Sequence, residues 1–100
     1  MCVRMEQLAR SFPCLKDCPA ITPWNGEKLQ TWVEEQAQTL ELPYEVVSTV
    51  SFLLYLWDPA RAWRCTPFNV VDALFLWNQE HRDAFMKWAQ DPWWPETRDR

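Results

Sequence analysis

The apolar pattern between residues 66 and 91 constrains the fold of this chain more than any other feature. On a helical wheel of about 100° per residue, one sector of roughly 100 to 120° collects Val70, Leu74, Trp77, His81, Ala84, Phe85 and Trp88. Thr66 before Pro67 is typical of a helix N-terminus, and Asp91 before Pro92 is typical of a helix end. The pattern therefore predicts one long amphipathic helix over residues 66–91.

Three further segments have helical spacing. Residues 3–12 carry apolar side chains at i, i+3, i+4 and i+7 and are stopped by Pro13. The second segment, residues 25–42, has Asn25 or Thr22 as its candidate N-cap. Its predicted core-facing stripe consists of Leu29, Trp32, Val33, Gln36, Ala37 and Leu40. Residues 43–57 contain β-branched side chains that would also suit a strand. Their apolar residues nonetheless share a helical face, and the second half of the segment is apolar nearly all round, which is typical of a central, buried helix.

The scarcity of glycine supports a helical fold. A single glycine in 100 residues argues against hairpins, which favour glycine in their turns. Three prolines between residues 13 and 23 predict a loop or a single turn there. We therefore predict an all-α fold, a small bundle of about four helices with a long C-terminal amphipathic helix. It forms a single domain over residues 1–100, in which residues 95–100 are expected to be a frayed tail.

Charge and hydropathy limit the classes of partner. The net charge of −4 and the scattered Lys and Arg residues lack the basic footprint of nucleic-acid binding. The longest apolar stretch, residues 46–57, is too short to cross a bilayer. Glu6 and Gln7 lie where a signal peptide would need an apolar run. We expect a cytoplasmic protein that binds neither nucleic acid nor membranes and has no small-molecule substrate.

Four cysteines are the candidate metal ligands. Cys14 and Cys18 are separated by three residues on the proline-flanked loop, and Cys2 and Cys65 would complete a tetrahedral zinc site. The alternatives are free, partly buried thiols that pack as small hydrophobic groups and a Cys14–Cys18 disulfide, which a reducing compartment disfavours. We expect no cofactor, with zinc as the alternative.

His81 is the only histidine and therefore the main candidate for catalysis. It lies on the apolar stripe between Trp77 and Phe85, and a buried imidazole needs a hydrogen-bond partner. We interpret it as a core residue bonded to a backbone carbonyl or a carboxylate. The functional alternatives are a pH-sensitive contact and a general base that acts with Cys65 or an aspartate. The paired carboxylates, Glu34 with Glu35 and the set Asp72, Glu80 and Asp83, lie on predicted solvated faces. Because the chain has a single glycine, most glycine-based catalytic motifs are excluded. We predict that the protein is not an enzyme.

Eight tryptophans in 100 residues exceed what a small core requires. Trp32, Trp57, Trp77 and Trp88 lie on core stripes, whereas the others lie in loops or at helix ends, where a ring either folds back onto the domain or stays exposed. Tryptophan is enriched in interface hot spots. Phe75, Leu76 and Met86 also lie off the core stripe of the long helix. The predicted partner-binding residues are Phe75, Met86, Trp93, Trp94, Trp63 and Trp24.

With no motif of a known family present, these patterns predict a small, non-enzymatic protein–protein interaction module. It would be an inhibitor or adaptor, of the kind found among accessory proteins of phages and mobile elements, that binds a larger host protein. Homodimerisation is the simplest form of this hypothesis. The second hypothesis is a zinc-stabilised binding module, and an enzyme that uses His81 ranks last. An acidic row on residues 25–42, consisting of Glu27, Glu34, Glu35 and Glu41, suits either a basic partner or plain solvation.

Overall fold

The fold of this protein is built from helices. A computed structural model describes residues 2–95, and no β-strand occurs among them. The helices are α1 (Val3–Arg10), α2 (Gly26–Thr39), α3 (Tyr44–Trp57), α4 (Val70–Leu76) and α5 (Gln79–Gln90), with short 3₁₀ turns at Pro13–Leu15 and Pro19–Ile21. The predicted all-α fold is confirmed as a small helical bundle. Residues 96–100, and with them most of the predicted frayed tail, lie outside the described residues, whereas Pro95 is buried.

Helix α3 is the centre of the bundle, as its nearly all-round apolar character predicts. Residues 48–54 and Leu56 are buried, and α1, α2 and α4 all pack against this helix. The β-branched residues near its start did not produce a strand, because burial on several faces stabilises the helix regardless of its modest propensity.

Helix α1 and the proline-rich loop close one side of the core. Met5, Leu8, Ala9 and Phe12 are all buried, in agreement with the spacing of residues 3–12. The loop is two short turns rather than one, and Arg10 holds it by donating hydrogen bonds to the backbone oxygen of Lys16, at 2.7 Å, and to the hydroxyl of Thr22.

The predicted long helix over residues 66–91 is wrong, because the chain turns at Trp77 and Asn78. Trp77 has an extended backbone, with φ −66° and ψ 148°. The Oδ1 atom of Asn78 then caps a new helix by accepting the backbone N–H of His81 at 3.0 Å. Helix α4 begins after Asn69, whose Oδ1 accepts the N–H of Asp72 at 3.0 Å, and not at Thr66.

The break changes which residues are buried in this part of the chain. In α5 the predicted stripe is correct for His81, Ala84 and Phe85. In α4, by contrast, the only buried residue is Ala73, and the predicted core residues Val70 and Leu74 are exposed. Because a turn separates α4 from α5, the two helices differ in orientation, and a stripe drawn through both does not describe which face of α4 is buried.

Of the two predicted caps of α2, Asn25 rather than Thr22 is used, with Oδ1 accepting the N–H of Lys28 at 3.1 Å. Leu29 is fully buried, but the rest of the predicted stripe is only partly correct. Trp32, Val33 and Gln36 are half-buried, whereas Ala37 and Leu40 are exposed, the latter by 59% just beyond the last turn. The end of α2 therefore projects from the bundle. None of the helices within residues 2–95 is both long and apolar enough to cross a membrane.

Candidate functional site

An aromatic cluster joins α3 to the C-terminal helices and sets the orientation of α4. The ring of Phe52 on α3 has its centroid 5.2 Å from those of Phe68, Phe85 and Trp88. Trp77, which follows α4 directly, is buried 5.7 Å from Phe68. Aromatic rings at these separations attract one another beyond their area of burial. The cluster therefore fixes both ends of α4, at Phe68 and at Trp77.

Hydrogen bonding fixes the C-terminal end of α4 as well. The indole Nε1–H of Trp77 donates to the hydroxyl of Ser48 at 2.7 Å, and this hydroxyl donates to the backbone oxygen of Tyr44, also at 2.7 Å. A buried chain of polar groups that is fully paired holds a single geometry. Helix α4 is thus anchored on α3 through the residue that follows it, while its own side chains point elsewhere.

Most side chains of α4 are large, apolar and exposed. The exposed set is Val70, Val71, Leu74, Phe75 and Leu76, five of the seven residues of the helix. Phe75 is 82% exposed. On a wheel of about 100° per residue, the first four of this set span about 140°, so they form one continuous surface that we call the α4 face. Contiguous apolar surface on a small protein marks an interaction site more often than scattered exposed residues do.

The structure divides the predicted partner-binding residues into three groups. Phe75, Met86 and Trp94 are exposed, Trp93 is half-buried, and Trp24 and Trp63 are buried in the core at 5% and 7% exposure. The single wheel that placed Phe75 beside Met86 does not apply, because the two residues lie on different helices. Trp24 and Trp63 have folded back onto the domain.

The Trp93–Trp94 segment is docked on α5 and α1. Trp88 donates its indole N–H to the backbone oxygen of Trp93 at 3.0 Å, and its ring lies 5.9 Å from that of Trp94. The guanidinium of Arg4 lies 4.3 Å from the centre of the Trp93 ring. These contacts explain why the segment follows the bundle after Pro92.

Sequence reasoning missed Val70, Val71 and Leu74 as surface residues. The signal that could have found them is the asparagine cap, since Asn25, Asn69 and Asn78 each follow an aromatic residue and each cap a helix. Asparagine is among the best N-cap residues. A second cap inside the predicted long helix indicates two helices.

His81 has both ring nitrogens engaged inside the fold. Its Nδ1 lies 2.7 Å from Oδ1 of Asn78, and its Nε2 accepts the backbone N–H of Cys14 at 3.4 Å. Because Nδ1 must donate and Nε2 must accept, the ring is neutral. Burial lowers the pKa of His81 below its usual range, against the opposing charges of Glu45 and Glu80. The imidazole is paired, although with a side-chain amide and a backbone N–H rather than the predicted carbonyl or carboxylate.

The four cysteines are free thiols. Among residues 2–95, no three or more Cys, His, Asp or Glu side chains approach one another closely enough to hold a metal ion, so the predicted ligand set of Cys2, Cys14, Cys18 and Cys65 is not assembled. The thiol of Cys14 donates to the backbone oxygen of Glu45 at 3.5 Å, and burial raises the pKa of Cys14 to about 11. Burial also raises the pKa of Cys18 and Cys65. Because their pKa values are raised, these three cysteines stay protonated, whereas the thiolate is the form that attacks substrates or binds metals.

The predicted acidic row on α2 is partly neutralised by the segment after α3. Arg64 makes a two-pronged contact with Glu34 at 2.5 and 2.7 Å, and Arg61 lies 3.2 Å from Glu27. The hydrogen bonds from these arginines lower the pKa of both glutamates. The acidic side of α2 is therefore tied to the chain's own arginines.

Comparisons with known proteins gave no match to a family, to a curated protein or to a solved structure.

Proposed function

We propose that this protein is a non-enzymatic interaction module that inserts the α4 face into an apolar groove of a larger partner protein. The observation that carries the proposal is the exposure of five large apolar side chains on one seven-residue helix whose two ends are anchored in the core. A rigidly held helix loses little conformational entropy on binding, which is the usual benefit of preorganisation.

The spacing of the α4 face suits recognition of a helix by a groove. Val70 and Leu74 are four residues apart, as are Val71 and Phe75, which is the pattern of anchors that such grooves read. Phe75 is the most exposed of them and is the expected hot spot, because large aromatic anchors dominate binding energy.

The dimensions of α4 favour a groove over a second copy of the chain. Seven residues make a helix only about 10 Å long, so a flat contact through α4 alone involves few residues. A stable interface buries about 800 Å² on each partner. Two copies that touched through this face alone would bury far too little, whereas a groove also covers the flanks of the helix. The cytoplasm is the proposed location, because thiols that are all free belong in a reducing compartment.

The proposal is tested by photo-crosslinking at the α4 face, with a matched control. A photo-reactive phenylalanine analogue replaces Phe75 in one variant and Leu40 in another; both positions are apolar and more than half exposed. We expect a specific crosslinked partner in the source cell from position 75 and none from position 40. That partner, purified, should then bind the wild-type protein and the Leu40→Ala variant equally.

The Phe75→Ala variant should bind this partner at least about 30-fold more weakly, the loss expected for a hot-spot residue of 2 kcal/mol or more. Its stability should change by less than about 0.5 kcal/mol, because Phe75 is a surface residue. Equal crosslinking from both positions would contradict the proposal. So would a crosslink between two copies of the chain together with a dimer by light scattering, since the α4 face would then be a self-association surface.

A further inference from the structure

A pocket of about 240 Å³ lies where the first turn of α2 meets the segment that follows α3. Trp24, Trp57 and Trp63 line it together with Glu27, Asp58 and Arg61. Trp24 and Trp63 are buried, whereas Glu27 and Arg61 are exposed. Indole rings therefore form the inner wall of this tryptophan pocket, and charged side chains mark its mouth.

The only glycine of the chain makes the tryptophan pocket possible. A Cβ atom added to Gly26 would lie 3.0 Å from Cδ1 of Trp57 and 3.0 Å from Cη2 of Trp63. A side chain at this position would therefore require the two indoles to shift by a few tenths of an ångström. Trp24 meets Trp57 edge-on at 5.7 Å, and the indole N–H of Trp63 donates to the backbone oxygen of Asp58 at 2.9 Å. The three rings are held in place by these contacts.

The chain's own arginine occupies the face of one ring. The guanidinium of Arg61 lies 4.5 Å from the centre of the Trp63 ring and 3.2 Å from a carboxylate oxygen of Glu27. The face of a tryptophan ring attracts cations better than that of any other side chain. Arg61 and Glu27 are exposed by 40% and 70% of their side chains, and exposed ion pairs of this kind are held weakly. The arginine can therefore swing into solvent at little cost.

We propose that the tryptophan pocket binds an organic monocation, an alkylated ammonium or a guanidinium group, which takes the place of Arg61 on the Trp63 face. Once Arg61 has moved away, the charged side chains that line the pocket are the carboxylates of Glu27 and Asp58, and they add electrostatic attraction for a cation. Ring faces with nearby carboxylates are the chemistry by which proteins recognise quaternary ammonium groups. The site shares no residue with the α4 face, so it stands independently of the function proposed above.

The same cation can come from a small molecule or from the side chain of a peptide. The probes used below separate these sources, because a simple ammonium ion presents the cation alone, whereas an amino-acid amide presents it together with backbone groups. Tighter binding of a peptide-like probe would indicate a protein source for the cation.

The test follows the indole N–H signals of the full chain by ¹H–¹⁵N NMR. The probes are tetramethylammonium chloride, N-acetyl-trimethyllysine amide and N-acetyl-arginine amide, with sodium chloride at matched ionic strength as the control. We expect saturable shifts of the Trp24, Trp57 and Trp63 signals with the organic cations and not with sodium. The sodium ion, compact and strongly hydrated, gains little from a ring face.

The Arg61→Ala variant supplies the decisive comparison. Removal of the internal competitor should tighten binding of the organic cations by about twofold to fivefold, the amount that one exposed cation–π contact contributes. Arg64→Ala is the matched control, because Arg64 also pairs with a glutamate of α2 but does not line the pocket. Shifts that do not saturate, shifts equal to those in sodium chloride, or equal affinities of the two variants would overturn the proposal.

Discussion

Replacement of Asn78 by alanine tests how the break between α4 and α5 is stabilised. The Oδ1 atom of Asn78 accepts two hydrogen bonds, from the backbone N–H of His81 at 3.0 Å and from its Nδ1–H at 2.7 Å. The first bond caps α5. The second satisfies a buried imidazole, which is 3% exposed.

The expected loss of stability is the sum of these two roles. Loss of an asparagine cap costs about 1 kcal/mol, and a buried donor left without a partner costs about 1–3 kcal/mol. Asn78→Ala should therefore lower the free energy of unfolding by about 2–4 kcal/mol, a large part of the stability of a small domain.

Asn69 provides a control within the same chain. Its Oδ1 caps α4 by accepting the N–H of Asp72, and no other hydrogen bond to this side chain occurs within residues 2–95. Asn69→Ala should therefore cost only about 1 kcal/mol. The difference between the two variants measures the bond to the buried imidazole of His81.

Urea denaturation followed by tryptophan fluorescence and far-ultraviolet circular dichroism measures both losses. A second variant, Asn78→Asp, keeps an acceptor at this position and should retain most of the stability. If Asn78→Ala and Asn69→Ala were equally destabilising, the imidazole bond would contribute nothing, and our account of the break would be refuted.

Three further perturbations probe the core. Burial lowers the pKa of His81, so the unfolded chain binds a proton at this position more readily than the folded chain. The contribution of His81 to stability is therefore complete above about pH 6.5 and is lost as the pH falls toward the lowered pKa, by at most about 1.4 kcal/mol per pH unit. The free energy of unfolding of a His81→Gln variant, measured between pH 5 and 7, should lack this slope. Ser48→Ala leaves the Trp77 indole N–H without its acceptor and should cost about 1–3 kcal/mol. In a double-mutant cycle this loss should be coupled to that of Trp77→Phe, and additive losses would contradict the bond. Gly26→Ala places a methyl group against the indoles of Trp57 and Trp63. The cost of overpacking should exceed the gain in helix propensity, so the variant should be less stable by about 1 kcal/mol. A raised melting temperature would instead show that the two rings move aside at little cost.

Much of the fold was predictable because periodicity and capping are local properties. The burial of Met5, Leu8 and Phe12 and the central position of α3 followed from spacing alone. The Asn25 cap followed from residue type. The candidate site was predicted only in part, since Phe75 was identified as surplus apolar surface whereas Val70 and Leu74 were assigned to the core.

The contacts that define the two proposed sites join residues far apart in sequence. Trp77, which anchors α4, bonds Ser48 across 29 positions, and Glu27 of the tryptophan pocket pairs with Arg61 from the segment after α3. A helical wheel carries no information on such pairs, because it describes one segment without its neighbours. Trp63 was predicted as a partner-binding residue because it lies outside the predicted core stripes, but the absence of a side chain at Gly26 lets its ring pack against α2.

The amino-acid sequence by itself determined that this chain is helical and which residues of α1 and α3 are buried, because hydrophobic spacing acts within a few residues. Only the tertiary structure decided which of those faces is covered. Trp77 is buried on Ser48 while Phe75, two residues earlier, points to solvent. The physical reason is that burial depends on the surface that distant segments bring into contact, and α3 covers the residue after α4 rather than the face of α4 itself.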